Sequence, residues 1–362
     1  MHQINKITIK DVAREAGCGV ATASRVLNNS GPASAQVREK VEKAAHDLGF
    51  SFSAIGRALQ SNKSMTVGCI VPSLVNPVFA EAVQGVQSVL LGSGYQLLIA
   101  SSNYEAKADE ELIENLLSKG VDGLLATVAS PSLSNALKLA KTRNIPISLM
   151  FHDPLDGFST AYVDNFEAAR EVARQFAHYQ HRKTGFLTLR FSSSDRSRNR
   201  YAGFHAECKA LGLNDPILIE LSEADANMPQ KLALVLEGYS DLTAIFASND
   251  FLAIAIQKAM RLLNKRVPHD LSVIGFDGIE IGRLLEVPLA TIETDPDKMG
   301  QQAAKTLLKK IQGEVGEQQP SLPFKFRTGA TIAPPRANSH DDDQVAPRSP
   351  SIHLTKRLLN KG

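Results

Sequence analysis

Residues 8–28 read TIKDVAREAGCGVATASRVLN, and this stretch decides the fold of the N-terminal part of the chain. Thr8, followed three residues later by Asp11, is typical of a capping box, which starts a helix. The glycine-containing turn at residues 17–19 ends that helix, because glycine adopts the left-handed conformation easily. A second helix is predicted over residues 20–27, where small and apolar residues recur at spacings of three and four.

A third helix is predicted over residues 34–48, because apolar residues recur there on one face. Its apolar stripe consists of Val37, Val41, Ala44, Ala45 and Leu48. Two short helices that are joined by a tight turn and braced by a third predict a helix-turn-helix, whose second helix would enter the major groove of DNA. A plain three-helix bundle has the same periodicity, so periodicity alone leaves both folds open.

Charge is unevenly distributed along the chain. Residues 1–63 contain nine basic and five acidic side chains, whereas the whole 362-residue chain contains 40 and 38. A basic head on a slightly acidic body is typical of a module that binds a polyanion, joined to a larger part that does not.

Composition argues against several classes of protein. The chain is long enough for one small domain and one large one. Its longest apolar runs, such as residues 67–71, fall far short of the roughly 18 to 20 residues of a membrane span, so no membrane contact is predicted. The first ten residues lack the features of a secretory signal, so we expect a cytoplasmic protein. The three cysteines lack the spacing of a zinc site or of a disulfide framework.

From residue 64 onward, short apolar strands alternate with helical stretches, which predicts parallel β-sheets covered by α-helices. The predicted strands are residues 66–71, 96–101, 123–127, 146–150, 184–189, 244–247 and 272–276. One large sheet is conceivable, but two lobes are favoured. Ligands of such sheets bind at the carboxyl ends of the strands, where Asn249 and Asp277 are found.

Two strings in the head, TIKDVAREAG at residues 8–17 and VATASRVLN at residues 20–28, closely resemble the DNA-binding head of the lactose-repressor (LacI/GalR) family. The resemblance implies that Val20, Ala21 and Arg25 read bases, and that Thr22, Ser24 and Asn28 contact backbone phosphates. An arginine suits a guanine edge, and short hydroxyl and amide groups suit phosphate oxygens. The family usually has serine where this chain has Gly19, which still caps a helix but offers no hydroxyl.

Residues 53–60 could form two helical turns, which are too short to be stable alone in water. The resemblance implies that this hinge folds on DNA and pairs across a dimer. It also implies that the hinge inserts Leu59 into the minor groove, with Arg57 beside it. An inert linker with one buried leucine is the alternative. Gly56 stands where the family usually has alanine, so we expect hinge folding to depend strongly on DNA.

The resemblance continues through the body, where NPVF at residues 76–79, SND at residues 248–250 and VIGFD at residues 273–277 follow the order of the family. It covers about residues 8–333 and implies a two-lobed fold like that of periplasmic binding proteins. The chain crossings are expected near Val163, Glu293 and Pro323. The effector-binding positions that it implies are Phe79, Arg200, Asn249 and Asp277, with His152 as a further candidate contact.

The fold class predicted is therefore an all-α helix-turn-helix head plus an α/β two-lobed domain with parallel sheets. The predicted domains are the head at residues 1–50, a hinge and linker at 51–63, an effector-binding and dimerisation domain at 64–333, and a disordered tail at 334–362. The cluster of Arg190, Arg196, Arg198 and Arg200 fits an anionic effector such as a sugar phosphate or a sugar acid. A solvated charged loop fits that cluster equally well.

The predicted function is transcriptional regulation by a repressor, which binds double-stranded, pseudo-palindromic operator DNA as a homodimer. Its effector is expected to be a small molecule related to carbohydrates, and the sign of its effect is left open. No cofactor, metal or catalytic residue is predicted, because the chain has no phosphate-binding glycine loop or nucleophile elbow. A solute-binding protein of a transporter is one alternative, but it predicts a signal peptide and no basic head. An enzyme on a doubly wound sheet is a second, which fold alone does not exclude.

Overall fold

The computed structural model describes residues 7–28, 31–50, 63–221, 227–314, 318 and 320–336. The head consists of α1 (Ile9–Glu15), α2 (Val20–Leu27) and α3 (Ala35–Asp47). The Asp11 carboxylate accepts hydrogen bonds from the Thr8 backbone N–H at 2.9 Å and from the Thr8 hydroxyl at 2.7 Å, which fixes the start of α1. Gly17 has a positive φ of 64°, as the predicted turn requires.

The core of the head is small and apolar. Its fully or nearly fully buried side chains are Val12, Ala13, Ala23, Val26, Val41, Ala44 and Ala45. Each of the three helices contributes at least two of them, so burial of these faces holds the helices together. Val37 and Leu48 of the predicted stripe pack against this cluster while partly exposed, as does Leu27 of α2.

The first lobe of the body begins with a parallel β-sheet whose strand order is β2-β1-β3-β4-β5 among the described residues. Its elements in chain order are β1 (Thr66–Val71), α4 (Pro77–Gly92), β2 (Gln96–Ser101), α5 (Ala106–Ser118), β3 (Gly123–Ala126), α6 (Asn135–Thr142), β4 (Ile147–Met150) and β5 (Ser159–Ala161). Strands β1, β3 and β4 are almost completely buried, because helices cover both faces of the sheet.

The second lobe follows from residue 165. Its elements are α7 (Asn165–His178), β6 (Thr184–Leu189), α8 (Asp195–Ala210), β7 (Ile217–Leu221), α9 (Met228–Glu237), β8 (Ala244–Ala247), α10 (Asp250–Leu262), β9 (Ser272–Asp277) and β10 (Ala290–Glu293). Five phenylalanines build much of its core, with rings in edge-on or tilted contact: Phe176, Phe186, Phe204, Phe246 and Phe276.

The chain then returns to the first lobe with α11 (Pro296–Ile311), which packs on α4 and on β3, β4 and β5. It finally pairs β11 (Lys325–Arg327) antiparallel to β10 at the edge of the second sheet. That sheet has the order β11-β10-β9-β8-β6-β7, and its other pairings are parallel. The two lobes are thus connected three times, and Val163 and Leu322 on two of these connections form a β-bridge.

Helices α4 and α11 approach closely because each has a glycine at the crossing. A Cβ atom on Gly85 would lie 2.0 Å from the carbonyl oxygen of Asp297, and one on Gly300 would lie 1.9 Å from that of Ala82. Any side chain at either position would therefore push the helices apart. This contact anchors the returning α11 to the first lobe.

The seven predicted strands are all present, three of them shifted at one end by a single residue. Four further strands, β5, β7, β10 and β11, were not predicted. No helix within the described ranges is long and apolar enough to cross a bilayer.

Candidate functional site

The head presents the outward face of α2 on its surface. The side chains that face outward are Val20, Ala21 and Arg25, which are exposed, and Thr22, Ser24 and Asn28, which are half-buried. The Asn28 side-chain amide donates a hydrogen bond to the Ser24 hydroxyl oxygen at 3.3 Å, so these two polar groups are held one turn apart. The helix begins at Gly19 without a side-chain cap. The exposed face thus carries one cation among small polar and apolar groups, which suits the major groove.

Arg25 extends from α2 over the loop before α3. A Cβ atom on Gly31 would lie 2.9 Å from the Arg25 Cδ atom, so the aliphatic stem rests against glycine. Its guanidinium makes no hydrogen bond or ion pair to any residue in the described part of the chain. An exposed fork of donors of this kind is able to pair with a base edge. The predicted hinge residues Arg57 and Leu59 lie outside the described residues, as does Gly56.

A cavity of about 420 Å³ lies between the two lobes of the body. It opens at the carboxyl ends of strands from both sheets. The first lobe lines it with residues that follow β1, β2, β3 and β4, and the second lobe with residues that follow β6 and β8 and with the last residue of β9. This position and volume are typical of a binding site for a small molecule.

The wall from the first lobe is largely aromatic. Phe79, on the first turns of α4, is nearly buried and meets Phe151 edge-on, with ring centroids 5.1 Å apart. Tyr104 adds a third ring, 6.2 Å from that of Phe79. Asn76 caps α4 through its side-chain oxygen, which accepts from the Val78 N–H. This wall can pack against the carbon face of a ligand.

The wall from the second lobe is charged. Arg200, on α8, is buried, and its guanidinium lies 3.4 Å above the centre of the Phe276 ring. Its Nε donates to the Asn165 side-chain oxygen at 2.8 Å, and Nη1 donates to the Ser248 carbonyl oxygen. Asp277 lies opposite, with 3.9 Å between its Oδ1 and the Arg200 Nη2.

Burial dominates the ionisation of both members of this pair. It lowers the pKa of Arg200 to about 10, against the attraction of Asp277. Burial also raises the pKa of Asp277 to about 6, although Arg200 and Arg196 favour its charged form. Desolvation therefore outweighs the mutual attraction across 3.9 Å, a separation that is too long for a direct hydrogen bond. A ligand hydroxyl could fit this loosely closed pair.

Asn249 and Asp250 follow β8 at the floor of the cavity. Asn249 lines the cavity and caps α10 through its side-chain oxygen, which accepts from the Leu252 N–H at 2.9 Å. Its side-chain NH₂ is thereby left for other partners. Asp250 is buried beneath and accepts from the N–H groups of Gly278 and Ile279 and from the Thr291 hydroxyl. These hydrogen bonds fix the loop that carries Asp277.

His152 does not line the cavity. It is buried behind the wall of the first lobe, where the Val128 N–H donates to its Nε2 at 3.2 Å. An N–H donates only to an unprotonated ring nitrogen, so the proton of this neutral ring lies on Nδ1 and is donated to Asp195, at 2.6 Å. Asp153 accepts in turn from the Asn199 side chain. His152 thus joins the first lobe to α8 across the cleft, and its position does not support the predicted effector contact.

The predicted arginine cluster is divided by the structure. Arg190 and Arg196 line the cavity together with Arg200. Arg198 instead turns away and donates to the carbonyl oxygens of Phe191 and Ser192. Arg190 and Arg196 were predicted only as members of that cluster, and Phe151 and Tyr104 were not predicted as cavity residues. Phe151 and Tyr104 follow the ends of β4 and β2, which is the signal that could have found them.

Two family models match the chain. Residues 8–53 match the model described as bacterial regulatory proteins of the lacI family, and residues 173–332 match a periplasmic binding protein-like domain. Among relatives, the HTH-type transcriptional regulator GntR of Escherichia coli strain K12 is 30% identical over 327 residues, which cover 90% of this chain and 98% of that protein. The ribose operon repressor of the same strain is 30% identical over 319 residues, which cover 86% and 95%.

Solved structures agree with the described architecture. A LacI-family transcriptional regulator from Silicibacter pomeroyi superimposes with a TM-score of 0.80 at 26% identity, covering 90% of this chain and 99% of that one. The lac repressor dimer bound to operator and to an anti-inducer has a TM-score of 0.82 at 24% identity, covering 91% and 100%. The second likeness shows the fold alone. Together they confirm the predicted fold class of a helical head and a two-lobed body.

Proposed function

The chain belongs to the LacI family of bacterial regulatory proteins, and on this premise we propose how it represses transcription. The outward face of α2 reads an operator, and a small molecule in the interlobe cavity changes the affinity for that operator. The observation that carries the DNA-binding half is the exposed Arg25 on a braced helix-turn-helix. Val20 and Ala21 complete the base-reading surface, and Thr22, Ser24 and Asn28 contact the phosphates.

The operator is pseudo-palindromic because the protein binds it as a homodimer. The family relationship supports the dimer, and so do apolar side chains on the surface of the body. Leu98 and Ile99 on the edge strand β2 are 36% and 40% exposed, and Leu284 on the second lobe is 77% exposed. Light scattering of the purified protein should give the mass of two chains, and a stable larger assembly would contradict the assignment.

The effector is a small polar molecule of the sugar type, held between an aromatic and a charged wall. Phe79, Arg200, Asn249 and Asp277 are its proposed contacts. Because the ligand touches both lobes, it shifts their relative position, which moves the ends of the two chains that lead to the heads. A coupling of 1 to 3 kcal/mol is typical of such switches and would change operator occupancy by about 5- to 150-fold.

Selection from a pool of random DNA duplexes with the full-length protein at moderate salt tests the proposal. Enrichment of two half-sites related by a dyad is the expected result. Binding that is strongly salt-dependent and independent of sequence would contradict operator recognition by α2. The matched control is Lys43→Ala, which removes an exposed cation from α3 and should leave the enriched sequence unchanged.

We assign the protein no enzymatic activity, since its relatives are transcriptional regulators. Its proposed place is the bacterial cytoplasm, where operator DNA lies. Turnover of sugars or sugar phosphates by the purified chain would contradict the first assignment. If a variant that is exported from the cytoplasm still repressed transcription, the second assignment would be contradicted.

A further inference from the structure

The charges that line the interlobe cavity are unbalanced. Among the described residues of its wall, Arg190, Arg196 and Arg200 are cationic, whereas Asp277 alone is anionic. Arg200 is engaged by Asp277, Asn165 and the Ser248 carbonyl. Arg190 lies at the rim, 3.6 Å from a Glu105 oxygen and over the ring of Tyr104. The remaining cation is Arg196, and the contacts of its guanidinium differ from those of Arg190 and Arg200.

Arg196 lies in the first turn of α8, with its side chain only 12% exposed. Its Nη1 atom is buried and has no hydrogen-bond partner, and no hydrogen bond from its guanidinium reaches any residue that the structure describes. A guanidinium has five N–H donors, and a buried donor without an acceptor is costly. The Arg196 guanidinium can therefore donate hydrogen bonds to an acceptor that the protein does not supply.

Three carboxylates lie near Arg196, and none accepts a hydrogen bond from its guanidinium. Asp277 is already paired with Arg200. Asp195 Oδ1 is 3.9 Å from the guanidinium and accepts from the Arg196 backbone N–H, while Asp195 Oδ2 accepts from His152. Asp109, on the first lobe, accepts from the Ala129 N–H and forms no ion pair with Arg196 within 4.0 Å. Burial raises the pKa of Asp109, which weakens the charge that it could offer.

Hydroxyl groups surround the same corner of the cavity. Ser193, Ser194 and Ser197 line it where α8 begins, and Ser194 caps the helix by accepting from the Ser197 N–H. Hydroxyl donors and the positive end of a helix dipole both stabilise an anion. Asp277 and Asn249, which suit ligand hydroxyls, line the same cavity beside Arg200. The cavity therefore combines a cation that has no hydrogen-bond acceptor in the described part of the chain with groups that can bind hydroxyls.

We propose that the effector of this regulator is an anion: a small polyhydroxylated molecule whose carboxylate or phosphate group pairs with Arg196. The proposal rests on the assignment of the interlobe cavity as the effector site. Phe79 and Phe151 pack on the carbon skeleton, and the hydroxyls reach Asp277 and Asn249. A neutral sugar of the same skeleton leaves the Arg196 donors without an acceptor, so it binds less tightly.

The test uses two sets of compounds that share a carbon skeleton. One set is D-glucose, D-gluconate and D-glucose 6-phosphate, and the other is D-ribose, D-ribonate and D-ribose 5-phosphate. Calorimetric titration of the full-length protein should show at least one anion that binds ten times or more tightly than its neutral parent. The acid and phosphate arms distinguish the two sources of the anionic group.

Arg196→Gln should weaken that anion about 10- to 100-fold and the neutral parent by less than about threefold, because a charge-assisted pair is lost only with the anion. Arg196→Lys should recover part of the loss. Lys209→Gln is the matched control: it removes an exposed cation from the last turn of the same helix and should change nothing.

Three results would overturn the anionic effector: no anion of either set binds, the neutral parent binds as tightly, or Arg196→Gln weakens both equally. The proposed function has a separate readout, since operator selection is run without any compound and again with each compound present. A neutral sugar that binds as tightly as its anions and shifts operator affinity would end the anion proposal and leave the effector-controlled repressor intact. Failure of operator selection under all of these conditions would end the latter.

Discussion

The head and the interlobe cleft differ in how their functional residues are held. In the head they come from nine consecutive residues, the eight of α2 and its C-cap Asn28, and they face the surface and contribute little to the core. In the cleft they come from α4, α8, the loop after β8 and the end of β9, and the charged ones are buried and hold one another. A change in the head should therefore alter binding alone, whereas a change in the cleft should alter both binding and the stability of the body.

Arg200→Ala should cause the largest loss of unfolding free energy. It removes a buried cation that engages Asn165, the Ser248 carbonyl and the ring of Phe276, and it leaves Asp277 buried without its partner. Removing one member of a buried pair costs about 3 to 5 kcal/mol. Urea denaturation of the full chain, followed by circular dichroism, should show this loss of unfolding free energy.

The control for this change is Arg261→Ala, which removes an arginine whose ion pair with Glu286 is largely exposed. Exposed pairs contribute about 0 to 1 kcal/mol, so the transition should hardly move. Equal effects of Arg200→Ala and Arg261→Ala would mean that the cleft charges are not integral to the fold, and the contrast with the head would fail.

The second prediction concerns pH. Stability should change with pH in opposite directions through Asp277 in the cleft and Asp11 in the head. Burial raises the pKa of Asp277 to about 6, because the buried carboxyl is favoured in its protonated form. Its contribution to stability is therefore fully present below about pH 4 and is lost as the pH rises through 6. The unfolding free energy of the wild type, relative to Asp277→Asn, should fall by about 2 to 3 kcal/mol over that window. In the head, hydrogen bonds from Thr8 lower the pKa of Asp11, so its contribution is lost as pH falls.

Urea titrations of both proteins at several pH values between 4 and 7 measure this difference. A constant difference across the window would mean that Asp277 is ionised as readily in the folded protein as in the unfolded chain. The attraction of Arg200 would then balance the desolvation of Asp277, contrary to the geometry of a pair 3.9 Å apart.

Most of the head could be predicted from the sequence because its determinants are local. A cap, a glycine turn and an apolar face all lie within the helix that they specify, so the limits of α2 were predicted without error and those of α3 to within one residue. The long buried strands were predicted for a similar reason. Strands β5 and β11 have only three residues each, too few for a periodic pattern, and each depends on pairing with a neighbour.

The cleft was only partly predictable. Phe79, Arg200, Asn249 and Asp277 do line one cavity. The strand ends predicted Asn249 and Asp277, and the family resemblance implied all four positions. His152 also follows a strand, but its ring lies behind the wall of the first lobe. Its two ring nitrogens are hydrogen-bonded to the Val128 N–H and to the Asp195 carboxylate. The difference between Arg196 and Arg198, two residues apart on one helix, depends on which way each side chain turns. No linear pattern contains that information.

Arg25→Ala tests the head: it should weaken operator binding and leave the stability of the protein unchanged. Loss of one arginine that pairs with a base edge costs about 1 to 3 kcal/mol of operator binding and relaxes specificity at that base. Because Arg25 is exposed and its stem rests on the surface against Gly31, the unfolding free energy should stay within about 0.5 kcal/mol of the wild type. Fluorescence anisotropy with the selected operator, and with single-base variants of it, measures both effects.

Lys43→Ala serves as the control, since it removes a cation from the exposed side of α3. Any loss that it causes should be uniform across sequences and follow the salt concentration, as a phosphate contact would. If Arg25→Ala behaved in the same way, Arg25 would be a phosphate contact and not a reader of bases.

The smallest expected effect concerns the local stability of the head. Ser34 caps α3 by accepting from the Val37 N–H, and Ser34→Ala leaves that donor to solvent, at a typical cost of about 1 kcal/mol. Since the described head has no buried ion pair to transmit the change, hydrogen exchange in the full chain should quicken about fivefold in peptides from Ala35–Asp47. Peptides from Ser272–Asp277, in the wall of the cleft, should keep their wild-type rates. Faster exchange in both places would show that the two regions unfold together, and their separate responses to mutation would need another explanation.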